Sequence, residues 1–179
     1  MVKILGISGS LRAQSFNTAL LNAAKSLVGD DIELEIATLH GIPLYDGDLE
    51  EQTGIPEAVL ALKARIIANQ GLLLVTPEYN NGIPGVFKNA IDWLSRKESA
   101  LVFGNRAVAV IGASPGGFGT ILSQNAWLPV LKTLGTRQWS GARLMLSRAH
   151  QAFDANGELV DESNRNLVRD FLQGFAKFI

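Results

Sequence analysis

Apolar runs of strand length alternate with segments of helical period along this chain. The first run is "VKILGIS", Val2 to Ser8. A helical stretch follows from about Ser15, with Phe16, Leu20, Leu21, Ala24, Leu27 and Val28 on one side and Gly29 placed to end it in the left-handed region. "IELEIAT", Ile32 to Thr38, alternates apolar and polar residues as a half-exposed strand does. Beyond a polar loop, Pro56 suits the first turn of a helix reaching about Ala68. "GLLLVTP", Gly71 to Pro77, is continuously apolar and predicts a central strand covered on both faces.

The second half repeats the pattern. A helix from about Pro84 to Ser95 turns Val86, Phe87, Ala90, Ile91 and Leu94 inward, and "RAVAVIGAS", Arg106 to Ser114, is another buried strand. "PGGFG" breaks the chain, residues 119–135 are helical in pattern, and Pro129 is expected to interrupt the hydrogen bonding there. A fifth strand falls within "QWSGARLMLS", and a last helix carries Leu167, Val168, Phe171, Leu172, Phe175 and Phe178. Five strands alternating with five helices imply an α/β fold, a parallel sheet with helices on both faces. No linker, repeat or low-complexity tract divides residues 1–179, so a single domain is expected. In such folds ligands bind beyond the carboxyl ends of the strands, and here donor-rich loops follow Ser8, Thr76 and Gly112.

Composition narrows the classes. With 47% hydrophobic and 18% charged residues the chain is a folded protein, and 179 residues suffice for one substantial core. No stretch approaches the roughly 20 apolar residues of a membrane helix, and the N-terminus has too short an apolar run for a secretory signal. The absence of cysteine excludes disulfides, thiolate nucleophiles and thiolate metal sites. A cytoplasmic protein is expected. A net charge of −1 gives no basis for nucleic-acid binding. Charge is unevenly spread, however. No acid lies between Glu98 and Asp154, where Arg106, Lys132, Arg137, Arg143 and Arg148 occur, and acids gather at Asp46, Asp48, Glu50 and Glu51.

The three loops carry the candidate chemistry. "GISGSLRAQSFNTALL" is neither a P-loop nor a G-x-G-x-x-G turn, since its Gly6 and Gly9 are three apart. It offers hydroxyls, Arg12 and free backbone N–H groups ahead of a helix start, with no acid: a place for an anion, a phosphate monoester being the best guest. Each serine taken alone also reads as a helix cap. "TPEYNNGIPGVFKNAIDWL" holds a constrained turn able to aim N–H and C=O groups at a flat heterocycle, with Tyr79 as a wall and Glu78 as a lone acid. It reads equally as a tight turn that caps the next helix. "GASPGGFGT" has four glycines in nine residues, which permits close backbone approach, and Ser114 could donate directly.

The combination of "GSLRAQSFN", "PEYNNGIPGVFKNAIDW" and a Ser-x-Gly-Gly loop after the fourth strand resembles the NADPH-dependent FMN reductase family, which includes bacterial quinone, azo-dye and chromate reductases. The likeness runs from about residue 2 to the end of the chain. It implies a flavodoxin-like three-layer sandwich with strand order 2-1-3-4-5 and FMN held without a covalent bond. Carried over by position, Ser10, Arg12, Ser15, Phe16 and Asn17 fall in the phosphate loop. Pro77, Glu78, Tyr79 and Asn80 fall at the edge of the isoalloxazine, mainly through backbone groups, and Ser114 is the third-loop contact. The implied activity is a ping-pong transfer of two electrons from NADPH or NADH through FMN to quinones, azo or nitro compounds or chromate, in a homodimer or homotetramer.

No side chain need act as a catalytic acid or metal ligand. His40 and His150 lie outside the three loops and lack partners at ligand spacing. Lys88 and Asp92 read as a surface pair, and Trp93, Trp127 and Trp139 as core or subunit contacts. The acid-free stretch could attract the 2′-phosphate of NADPH or an anionic acceptor. Two rivals share the fold and FMN: an electron-carrier flavodoxin, which would usually be strongly acidic, and a non-enzymatic FMN-binding sensor or interaction module.

Overall fold

A computed structural model describes all residues, 1–179. Four parallel strands form the body of the sheet: β1 (Val2–Ser8), β2 (Ile32–Ala37), β3 (Gly71–Val75) and β4 (Ala107–Ala113). Two short pieces, β5 (Arg137–Gln138) and β6 (Met145–Leu146), both pair with β4, giving the order β2-β1-β3-β4-β5 with β6 beside the far end of β4. Strand order reverses between β1 and β3, so a crevice opens at their carboxyl ends.

Side-chain alternation along the strands divides the core in two. On one face Leu73, Val75, Ala109 and Ile111 pack with α1 (Phe16–Leu27) and the C-terminal helix (Glu162–Phe178). On the other, Leu72, Leu74 and Val108 pack with helices Glu57–Ala68, Gly85–Leu94 and Ile121–Thr133. With the short helices Gly47–Thr53, Ser99–Phe103 and Ala149–Ala152 included, chain order makes these α2 (47–53), α3 (57–68), α4 (85–94), α5 (99–103), α6 (121–133), α7 (149–152) and α8 (162–178). The three short helices have too few turns to show a period in sequence; α2, capped by Asp46, buries nothing at all.

Four expectations change. The fifth strand is broken: Trp139 still donates its N–H to Val108 O at the sheet edge, with its ring against Phe171 and Phe175 of α8 at 4.6 and 5.9 Å, and residues 140–144 loop out before β6. Pro129 does not interrupt α6, and the carbonyl it deprives belongs to Asn125, an exposed residue on the solvent side of the helix. Gly29 is not left-handed. The end of α1 falls at Val28, whose N–H still bonds Ala24 O before the chain extends into β2. Leu167 of α8 faces solvent, while Val168, Phe171, Leu172 and Phe175 are buried. Trp93 and Trp127 are core residues, Trp139 is partly buried, and Lys88 pairs with Asp92 at 2.6 Å on the outside of α4.

The acid-free stretch does not gather its charges in one patch. Arg106 and Arg137 lie at the amino ends of β4 and β5, away from the crevice. Arg106 bonds the carbonyls of Val102 and Asn69, and Arg137 bonds Asn105 O and covers the Phe178 ring. Arg148 is the cation brought beside the third loop, through its N–H on Gly116 O.

Candidate functional site

The first loop gathers unpaired donors ahead of α1. Ser15 caps α1, its Oγ accepting from Asn17 N (3.2 Å) and Thr18 N (3.3 Å), which leaves the hydroxyl hydrogen free to donate. Capping and anion contact are therefore compatible in one residue. Arg12 N donates to the buried Ser10 Oγ (3.2 Å), folding the loop back on itself. The N–H groups of Ser10, Leu11, Ala13, Gln14, Ser15 and Phe16 make none of the chain's hydrogen bonds, and Arg12 has no ion-pair partner. A ring of unpaired donors at a helix N-terminus is an anion site on electrostatic grounds.

Asn17 ties this loop to the third. Its Nδ2 donates to Ala113 O and its Oδ1 accepts from Ala113 N, both at 2.9 Å and both buried. The second Nδ2 hydrogen keeps no partner in the chain. Ser114 is fixed in turn: its N–H donates to Leu146 O, its carbonyl accepts from Ala149 N, and its Oγ accepts from Gly116 N at 3.0 Å. Its hydroxyl hydrogen also stays available. Close packing behind the loop demands glycine at Gly112, where a Cβ would stand 2.2 Å from both Thr120 Oγ1 and Thr76 O.

The second loop departs from expectation at one residue, Tyr79. The Glu78 carboxylate does not stand free: its Oε2 accepts from Leu122 N (2.8 Å) and Ser123 N (3.0 Å), capping α6, whose own N-cap Thr120 makes no side-chain cap. The other reading of this segment, a turn that caps the following helix, does not hold: α4 has no side-chain cap, and Glu78 caps α6 instead. Tyr79 does not offer its backbone either, since its N–H and C=O pair with Gly82 across a two-residue turn. Asn80 and Asn81 take the left-handed conformations, φ 50° and 62°, that such a turn needs. What remains without a partner is the N–H groups of Glu78, Asn80 and Asn81, beside a half-exposed Tyr79 ring.

The three loops converge on one slot. Ser10, Arg12, Ser15, Phe16, Asn17, Pro77, Glu78, Tyr79 and Ser114 line it with Ala113 and Pro115; Asn80 stands at the turn tip, outside it. The slot holds about 60 Å³, the scale of a phosphate group. A buried network steadies the floor: Thr76 Oγ1 meets Ser123 Oγ at 2.9 Å and accepts from Trp127 Nε1 at 3.1 Å, all three residues fully buried.

Two residues escaped the sequence reading. His40 Nε2 lies 3.3 Å from Leu11 O, bracing the first loop from the turn after β2. His150 and the 153–158 turn form, with α1, a larger depression of about 570 Å³ that shares Arg12, Ser15 and Phe16 with the slot. Neither is signalled by spacing, because both depend on distant segments meeting.

A doubly wound parallel sheet with an anion loop at its switch point defines the flavodoxin-like class. Residues 2–151 match the family model described as NADPH-dependent FMN reductase. An NAD(P)H-dependent FMN reductase of Pseudomonas aeruginosa is 41% identical over 178 residues, covering 99% of this chain and 95% of that one. A 2-hydroxy-1,4-benzoquinone reductase of a Burkholderia species is 36% identical, covering 99% and 96%. In structure the chain is similar to FerB, a flavoenzyme NAD(P)H:(acceptor) oxidoreductase of Paracoccus denitrificans, with TM-score 0.88 at 32% identity over 99% and 96% of the two chains. The chain belongs to the NADPH-dependent FMN reductase family.

Proposed function

We propose that this chain is an NAD(P)H-dependent oxidoreductase that holds FMN non-covalently and passes two electrons from the nicotinamide to quinones or similar small acceptors. The observation that carries the reading is the set of unpaired N–H groups at Ser10, Leu11 and Ala13 to Phe16 beside the unpaired Arg12 guanidinium, with the Glu78 carboxylate turned onto α6. That donor set fits a doubly charged phosphate monoester. FMN bound there supplies the hydride-accepting heterocycle.

The chain's own residues bind and orient. Ser10, Arg12, Ser15, Phe16 and Asn17 would hold the phosphate, Ser114 and the Asn17–Ala113 link would set the third loop against the ribityl chain, and Pro77, Glu78 and Tyr79 would bound the ring. The free N–H groups of Glu78, Asn80 and Asn81 are the donors available to negative charge on the ring's edge. Because the mouth is open, nicotinamide and acceptor would use one face in turn, a ping-pong order with broad acceptance. No helix is long and apolar enough to cross a membrane. A cytoplasmic homodimer or homotetramer, with exposed Leu122 and Leu128 of α6 at the contact, completes the proposal.

The test is a comparison of FMN with riboflavin. Charge-assisted hydrogen bonds contribute about 1.5–3 kcal/mol each, so removing the phosphate should weaken binding by at least about a hundredfold. Arg12→Ala and Ser15→Ala should each lower FMN retention. NADPH alone should bleach the flavin spectrum under anaerobic conditions, and a quinone should restore it. Equal affinity for riboflavin and FMN would sink the reading. A flavin that NADPH cannot bleach would favour an electron carrier, and bleaching without turnover on quinones would favour a sensor.

A further inference from the structure

The 570 Å³ depression between α1 and the 153–158 turn has the size of a small-molecule site and no role in holding the phosphate loop together. On one side a stripe of α1 lines it, from Ser15 and Phe16 through Ala19, Asn22 and Ala23 to Ser26. These residues recur at helical spacing over three turns, about 16 Å of wall. The other wall is a hairpin turn pinned by the Phe153–Leu159 bridge and by Asp154 Oδ1, which accepts from Asn156 N and Glu158 N at 2.9 Å. Gly157 sits over Ala19, where a Cβ would come to 3.8 Å from that of the alanine.

Three kinds of chemistry meet in it. At the N-terminal end of α1 stand Arg12 and His150, whose side chains have no hydrogen-bonded or ionic partner; α7 brings His150 there because Ala149 N donates to Ser114 O. Phe16 and Phe153, stacked at 6.0 Å and 24°, make an aromatic floor. The walls add the free carboxylate of Glu158 and the free amides of Asn22 and Asn156. A cationic end suits a phosphate, an aromatic floor suits a flat base, and a free carboxylate beside amides suits sugar hydroxyls.

We propose that this depression is a nucleotide subsite, taking a purine nucleoside phosphate with its phosphate toward Arg12 and His150, its base over Phe16 and Phe153, and its ribose against Glu158 and Asn156. The ligand has two sources of the same chemistry: the adenosine half of the nicotinamide co-substrate, which rests on the function proposed above, or a free adenine nucleotide. Arg12 would then stand between two phosphates, one on either side of its loop.

The probe is 5′-ADP, titrated calorimetrically into the purified holoprotein, with flavin content read from the visible spectrum. One ADP should bind per chain, at least about tenfold tighter than adenosine. His150→Ala should shrink that margin. Asn22→Trp, which fills the depression from an exposed helical position, should weaken ADP at least about tenfold while flavin content stays unchanged. If the site belongs to the co-substrate, ADP competes with NADPH and Asn22→Trp raises KM for NADPH without changing kcat. If it belongs to a free nucleotide, ADP binds without competing. Absence of ADP binding, or binding that Asn22→Trp leaves intact, overturns the proposal. Loss of FMN binding, by contrast, would count against the proposed function and leave the ADP titration to judge this cavity alone.

Discussion

The side-chain amide of Asn17 holds both backbone groups of Ala113, donating to the carbonyl and accepting from the N–H at 2.9 Å each. One residue, at the start of α1, therefore sets the spacing between the first and third loops, 96 positions apart in the chain.

Asn17→Ala would leave the Ala113 N–H and C=O buried without partners. Each unpaired buried group costs about 1–3 kcal/mol, so a loss of roughly 2 kcal/mol or more is expected in urea denaturation. Asn17→Asp keeps the acceptor but turns a carboxylate toward the Ala113 carbonyl and the proposed anion site. Its FMN-per-chain ratio after gel filtration should fall below that of Asn17→Ala.

Glu78 acts on stability through α6 rather than on chemistry. Glu78→Ala removes the cap from Leu122 and Ser123 and should cost about 1–2 kcal/mol. Glu78→Gln retains an amide oxygen that can accept the same N–H groups, so thermal denaturation should place it nearer the native protein. Equal losses in the two variants would contradict the capping role.

Thr76→Val preserves shape but strands Ser123 Oγ and Trp127 Nε1, both fully buried. A loss of about 2 kcal/mol or more is expected, with a change in tryptophan fluorescence as Trp127 loses its acceptor.

Acid stability should depend in part on Glu35. Burial would raise its carboxyl, but hydrogen bonds from Asn69 and Arg65, then the Arg65 charge, outweigh that and hold it below its ordinary value of 4.5. A depressed carboxyl contributes stability that is present above pH 4.5 and lost as pH falls through the folded value. Glu35→Gln should therefore flatten the stability profile below that pH. The effect will be small, because the pair is partly exposed.

Much of this was legible in the chain. "GLLLV" is apolar without alternation because β3 is covered on both faces, and the donor-rich, acid-free turn before Phe16 stands in the fold as a set of unpaired N–H groups. Local features of this kind survive in sequence because the residues that cause them are adjacent. "QWSGARLMLS" misled for the opposite reason. Its strand propensity is real, but its two ends pair with opposite ends of β4, Arg137–Gln138 with Ala107–Val108 and Met145–Leu146 with Gly112–Ala113, partners distant in the chain. The partner of the Glu78 carboxylate had no local signal either, since it exists only once α6 is placed against the strand end.

The sequence by itself determined the alternation of strands and helices, the parallel sheet and the three loops in which a phosphate and a flat ring could be met, because hydrophobic period and turn chemistry are properties of neighbours. Only the tertiary structure decided that Asn17 locks one loop to another, that Glu78 serves a helix, that Arg106 and Arg137 face away from the crevice, and that His150 closes a second cavity behind Arg12. Each of these is a pairing of polar groups far apart in the chain. Such pairings follow from which donors and acceptors folding brings together, and no periodicity records them.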